Sequence, residues 1–127
     1  MHPQQTVQRA AGLCLLPLLL CACEPQKPAP PAIDGGNLRQ GKELLVQYQC
    51  GSCHTIPDVE AARGSAAPSL ERFALRSYIA GRWPNRQEVL VRWIADPQAM
   101  APGSLMPDMG VSSEDARHMA AYLYSLE

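Results

Sequence analysis

The sequence predicts an all-α domain with long irregular loops. Apolar residues recur at helical spacing in three separate segments, no hairpin signal lies between alternating runs, and prolines and glycines punctuate the stretches between the periodic segments. The first helix is expected over Leu38–Tyr48, where Gly41, Leu44, Leu45 and Tyr48 fall at i, i+3, i+4 and i+7. A glycine inside a helix costs about 0.5–1 kcal/mol relative to alanine, so Gly41 is expected where another helix comes close. Ser69–Ala80 is expected to hold a short helix. Asn85 with Glu88 three residues later matches a capping box. That box would open a helix through Val89, Leu90, Trp93 and Ile94 that stops before Pro97. The final helix starts with Ser112-Ser113-Glu114-Asp115, an N-cap serine with acids in the first turn. Its buried stripe is Ala116, Met119, Ala120 and Leu123, it runs to about Leu126, and His118 is expected on its solvated side.

Composition narrows the function. The 127 residues carry a net charge of -1 and suit one domain. That balance argues against a nucleic-acid partner, which calls for a basic domain or stripe. Aromatic residues make up only 6% and Phe73 is the single phenylalanine. A domain of this size is then short of core unless a non-protein group fills its centre.

The N-terminus stands apart from the fold. Leu13–Ala22 is an apolar run interrupted by Pro17. A membrane-spanning helix needs about 17–25 residues, so the run reads as a secretory hydrophobic region. It ends in Leu20-Cys21-Ala22-Cys23, which resembles a bacterial lipoprotein signal with Cys23 as the acylated first residue. Cys21 fits less well because Leu20 precedes it, and an ordinary signal cleaved near Ala22 or an uncleaved anchor are the alternatives. Residues 24–36 hold Pro25, Pro28, Pro30, Pro31 and Gly35-Gly36, the composition of a semi-rigid spacer. The expected organisation is a signal peptide over 1–22, a lipidated tether over 23–36 and a folded domain over 37–127. The chain would then sit on the periplasmic side of a bacterial membrane.

Of five cysteines, only Cys50 and Cys53 fall in the folded part, in Cys50-Gly51-Ser52-Cys53-His54. This is the C-x-x-C-H pattern of c-type haem attachment. Two thiols on one turn can add to both vinyl groups of a haem, and the adjacent histidine projects toward the iron as proximal ligand. A thioredoxin-like site would need a preceding strand and a βαβ setting. A zinc site would need four ligands, and the other histidines are His2 and His118. Methionine paired with histidine is a known axial set. Met106 lies in Pro102-Gly103-Ser104-Leu105-Met106-Pro107, where the prolines stiffen the backbone, and is the expected sixth ligand; Met109 is the alternative. Met119 is expected in the core, Met100 in packing, and Trp93 in the core against the haem.

Residues 36–126 resemble the bacterial branch of the monohaem class I cytochromes c. The likeness rests on Gly41-Lys42-Glu43-Leu44-Leu45, the haem motif, Pro68-Ser69-Leu70, the Glu88–Pro97 stretch, Met106 nine residues beyond that proline, and Ala120-Ala121-Tyr122-Leu123. Ala67 departs from the glycine common before that first proline. The resemblance implies a small cytochrome c fold whose terminal helices cross around one covalently bound haem c, with Gly41 and Leu45 meeting Tyr122 and Leu123. It also implies that the Pro68 carbonyl accepts the His54 Nδ1 proton.

The expected function is electron transfer with no enzymatic activity of its own, between periplasmic or membrane redox partners. The alternatives are an electron-entry subunit of a dehydrogenase or terminal oxidase, and a haem-based sensor, which carbon monoxide binding at neutral pH would reveal. Charge is unevenly distributed: Ala61–Ala95 holds six arginines against Glu71 and Glu88, while Asp96–Glu127 holds five acids against Arg117. Arg72 and Arg76 are expected on a positive docking patch for an acidic redox partner, and Arg82 beside Trp83 is a candidate for pairing with haem propionates.

Overall fold

The computed structural model describes residues 33–127, so the expected signal peptide, Cys23 and most of the tether lie outside the described residues. The order is helix α1 (Leu38–Gln47), a 3-10 turn (Cys50–Ser52), a second 3-10 turn (Phe73–Leu75), strands β1 (Tyr78–Ile79) and β2 (Trp83–Pro84), then helices α2 (Gln87–Ala95), α3 (Pro97–Met100) and α4 (Ser113–Tyr124). Among the described residues no helix is long and apolar enough to cross a membrane.

α1 and α4 form the frame. Asn37 caps α1 by accepting from the Gln40 N–H (2.9 Å), and Ser112 caps α4 by accepting from the Asp115 N–H (3.0 Å). The predicted stripes are the buried ones: Gly41, Leu44 and Leu45 face Ala116, Met119, Ala120 and Leu123. Gly41 is required at the crossing, because a Cβ there would fall inside the His118 carbonyl. The closest approach is therefore at the His118–Met119 backbone, one turn before the expected Tyr122 and Leu123. The His118 imidazole lies on the same turn. Its Nδ1 accepts from the Asn37 N–H at 3.0 Å, pinning the start of α1 to this turn. His118 is buried, not solvated as its polarity predicts. Tyr48 ties the far end of α1 to α4 by donating to Asp115 (2.9 Å).

The middle of the chain departs most from expectation. The helix predicted over Ser69–Ala80 shrinks to the Phe73–Leu75 turn, entered through Arg72 at φ 51°. The all-α prediction also misses a small antiparallel pair, with Tyr78 opposite Pro84 and Ile79 opposite Trp83. Ala80 (φ 50°) and Gly81 (φ 67°) make the turn, and the Arg82 N–H closes it onto the Ile79 carbonyl (3.0 Å). Positive φ at both centres defines a type I′ turn, for which Asn-Gly is the usual signal; an alanine in the first place hides it.

The capping box at Asn85 and Glu88 does not form. Arg86 is the N-cap of α2 and contributes no side-chain cap. Asn85 instead donates to the carbonyls of Phe73 (3.1 Å) and Arg76 (2.9 Å) and accepts from the Tyr124 hydroxyl (2.7 Å). Tertiary partners satisfy this amide more completely than a cap would. α2 ends at Ala95 as predicted. Asp96 then starts α3, accepting from the Ala99 N–H (2.8 Å) with buried Pro97 at the first helical position. The core gathers between α1, α2 and α4, with Phe73, Ile79, Leu90 and Ile94 joining the α4 stripe.

Candidate haem site

The haem motif is shaped by what precedes and backs it. After α1, Gln49 adopts φ 54° and reverses the chain into the Cys50–Ser52 turn. The N–H groups of Cys53 (3.3 Å) and His54 (3.0 Å) both point to the Cys50 carbonyl, so one turn carries the two sulfurs and the imidazole. A loop packs behind it: Gly64 donates to the Gly51 carbonyl (3.0 Å), Thr55 Oγ1 to the Gly64 carbonyl (3.0 Å), and Ile56, Val59 and Ala62 are buried beneath. Tyr122 closes that loop onto α4 by donating to the Pro57 carbonyl (2.6 Å).

Cys50 and Cys53 form no disulfide. Burial pushes the half-buried Cys50 thiol above its ordinary value, while Cys53 is exposed. His54 Nδ1 lies 2.7 Å from the Pro68 carbonyl. A carbonyl only accepts, so Nδ1 carries the proton, and in the neutral ring the lone pair is left on Nε2. The carbonyl also orients the ring and strengthens Nε2 as a donor to a metal. Among the described residues no group of three or more His, Cys, Asp or Glu is placed to hold a metal ion. Two unbridged thiols beside an imidazole with a fixed tautomer are the donor set a haem c needs.

Met106 lies half-buried on the loop between α3 and α4. Its N–H donates to Ser104 Oγ (3.2 Å) and its carbonyl accepts from Gln98 Nε2 (2.7 Å). Met109, on the same loop, is exposed. Met119 is fully buried in α4, and Met100 is half-buried in α3. Half-buried Trp93 packs against Trp83 with the rings tilted by 40° and their centres 5.3 Å apart, and the Arg82 guanidinium lies over the Trp83 ring at 5.2 Å.

The arginine-rich segment divides into two kinds of residue. Arg63, Arg72, Arg82, Arg86 and Arg92 are exposed. Arg76 is not the free docking charge the sequence suggests: it is half-buried, donates to the carbonyls of Ser69 and Glu71, and covers the Phe73 ring. Sequence reading also passes over Gln98, whose amide reaches the Met106 loop. Its sole signal is its place one residue after the Pro97 that ends the predicted helix.

A largely helical frame with a thiol–thiol–imidazole turn and a methionine loop defines a haem-binding electron-transfer protein. The family model for cytochrome c matches residues 38–127, and the chain belongs to that family. It is 36% identical over 89 residues to cytochrome c oxidase subunit 2 of Alkalihalophilus pseudofirmus, covering 69% of this chain and 25% of that protein. The same-named protein of Bacillus subtilis is 32% identical over 88 residues, covering 68% of this chain and 25% of its own length. The chain thus spans about a quarter of the length of these relatives. It is an electron-transfer cytochrome whose cofactor is haem c.

Proposed function

We propose that the chain carries single electrons to a terminal oxidase through one haem c, while lipid-anchored at Cys23 on the periplasmic side of a bacterial membrane. Haem c supplies a one-electron Fe(III)/Fe(II) couple. Cys50 and Cys53 hold it through thioethers, and His54 Nε2 is the proximal ligand, kept in its ligating tautomer by the Pro68 carbonyl. The Met106 thioether is the sixth ligand. With His54 and Met106 both bound to the iron, the protein would leave no place for a substrate, and such Met/His pairing would raise the potential. The observation that carries this reading is the His54–Pro68 hydrogen bond on the turn that also bears both thiols. The oxidase as partner rests on the relatives' name, cytochrome c oxidase subunit 2. The anchor rests on the Leu20–Cys23 signal and the proline-rich spacer after it. Acylation at the N-terminus supplies the two or more lipid signals that stable anchoring needs.

The test is attachment and ligation together. Haem should stay with the denatured polypeptide on a gel and survive acid–acetone extraction; haem lost there sinks the covalent reading. Met106→Ala should keep the haem, admit carbon monoxide to the reduced iron and lower the potential. If Met109→Ala does so instead, the ligand assignment is wrong. For the anchor, Cys23→Ser should release a soluble, haem-loaded domain; an unacylated wild-type protein would refute it.

A further inference from the structure

The loop from Ala101 to Gly110 carries Met106 without help from a buried neighbour on either side: Leu105 is 98% exposed and Pro107 is exposed. With no apolar anchor beside it, the backbone must be held by hydrogen bonds. Within the loop, Ser104 N–H reaches the Ala101 carbonyl (3.0 Å) and Met106 N–H reaches Ser104 Oγ (3.2 Å). Both are local and leave the segment free to shift as a unit. At its first residue the loop is tied to α3 by the Ala101 N–H on the Pro97 carbonyl (2.8 Å); around Met106 the tie to an outside element comes from Gln98 on α3. Its Nε2 donates to the carbonyls of Ser104 (2.9 Å) and Met106 (2.7 Å), and its Oε1 accepts from the Gly103 N–H (3.2 Å).

The partners dictate the amide's orientation. Two carbonyls can only accept and one backbone N–H can only donate, so nitrogen and oxygen cannot be exchanged. Both amide hydrogens are used, and their targets bracket the residue before Met106 and Met106 itself. The base is rigid as well: Pro97 is fully buried at the start of α3, and Asp96 caps the same turn through the Ala99 N–H.

We infer that Gln98 is the positioning residue for the methionine ligand, its side-chain amide holding the Ser104–Met106 backbone so that the thioether stays on the iron during redox cycling. The inference rests on Met106 being the sixth ligand. Its physical content is that loss of Gln98 loosens the ligand more than the fold. A hydrogen bond contributes on the order of 1 kcal/mol, so losing two or three should raise the methionine-dissociated population about tenfold or more.

The experiment uses the haem-loaded full chain with Gln98→Met, which keeps length and removes all three bonds, and Gln98→Glu, which keeps the acceptor for Gly103 and removes both donors at neutral pH. Met106→Ala is the control. The readouts are the methionine-to-iron absorption band of the oxidised protein, the pH at which that band is lost on alkaline titration, and the rate of carbon monoxide entry on reduction. Both Gln98 variants should lose the band at lower pH than wild type and bind carbon monoxide about tenfold faster or more, Gln98→Met the more strongly, with the helical circular dichroism unchanged. A merely structural role would lower the unfolding midpoint and leave the band's pH profile alone. If Gln98→Met does not load haem, Gln98→Glu decides. Wild-type profiles in the Gln98 variants beside a lost band in Met106→Ala would overturn the inference alone; a band that persists in Met106→Ala would overturn the ligand assignment beneath it.

Discussion

The α1–α4 crossing and the Ala101–Gly110 loop are held by opposite means. At the crossing, Gly41 brings backbone against backbone, and Ala116, Met119 and Ala120 are fully buried. The His54 turn follows directly from α1 and is backed by a loop that Tyr122 fastens to α4. On the Met106 loop Leu105 points into solvent, and the Gln98 amide ties the Ser104–Met106 backbone to α3. Close packing tolerates little displacement, whereas a segment held by a few hydrogen bonds opens at low cost. The His54 turn is thus built to stay, and the Met106 loop is the segment that can yield.

Four measurements break or sharpen that contrast. The largest effect is expected at the crossing. Gly41→Ala should destabilise the haem-loaded protein by about 3 kcal/mol, because the added methyl meets the His118 carbonyl backbone rather than a side chain that could turn away. A urea midpoint equal to or above wild type would show that the helices can part freely. Next comes the junction of the Phe73 turn with α4. Asn85→Ala removes two donated bonds and the acceptor of the Tyr124 hydroxyl, with an expected loss of about 2 kcal/mol. The same junction predicts the alkaline limit. Burial, and then the nearby Glu88, push the Tyr124 hydroxyl up to about 12. In the unfolded chain it ionises near its ordinary value of 10. The folded protein therefore holds the proton longer. Its contribution is fully present below pH 10 and is lost as pH rises toward 12. A flat stability profile across that window would contradict the burial of Tyr124. The smallest effect is expected at the loop, where Leu105→Ala should shift stability by less than about 0.5 kcal/mol.

The thiol–imidazole turn and the helical frame were legible because their signals are local. Cys50, Cys53 and His54 are neighbours in sequence and on one turn, and the Gly41 and Met119 stripes follow helical period, so spacing alone assigns them. What was misread had partners far away along the chain. Asn85 resembles a cap until Tyr124, Phe73 and Arg76 claim its amide. His118 looks solvated until Asn37, 81 residues earlier, donates to its ring. Arg76 looks like a surface charge until Ser69 and Phe73 enclose it.

By itself, the sequence determined the helical frame, the thiol–imidazole turn and the segment that bears the methionines, because periodicity and spacing are properties of a single stretch of chain. Only the tertiary structure decided where the helices cross, which tautomer His54 holds and which amide steadies Met106. Each of those depends on one specific donor meeting one specific acceptor, or one Cβ being absent, across a contact that folding creates.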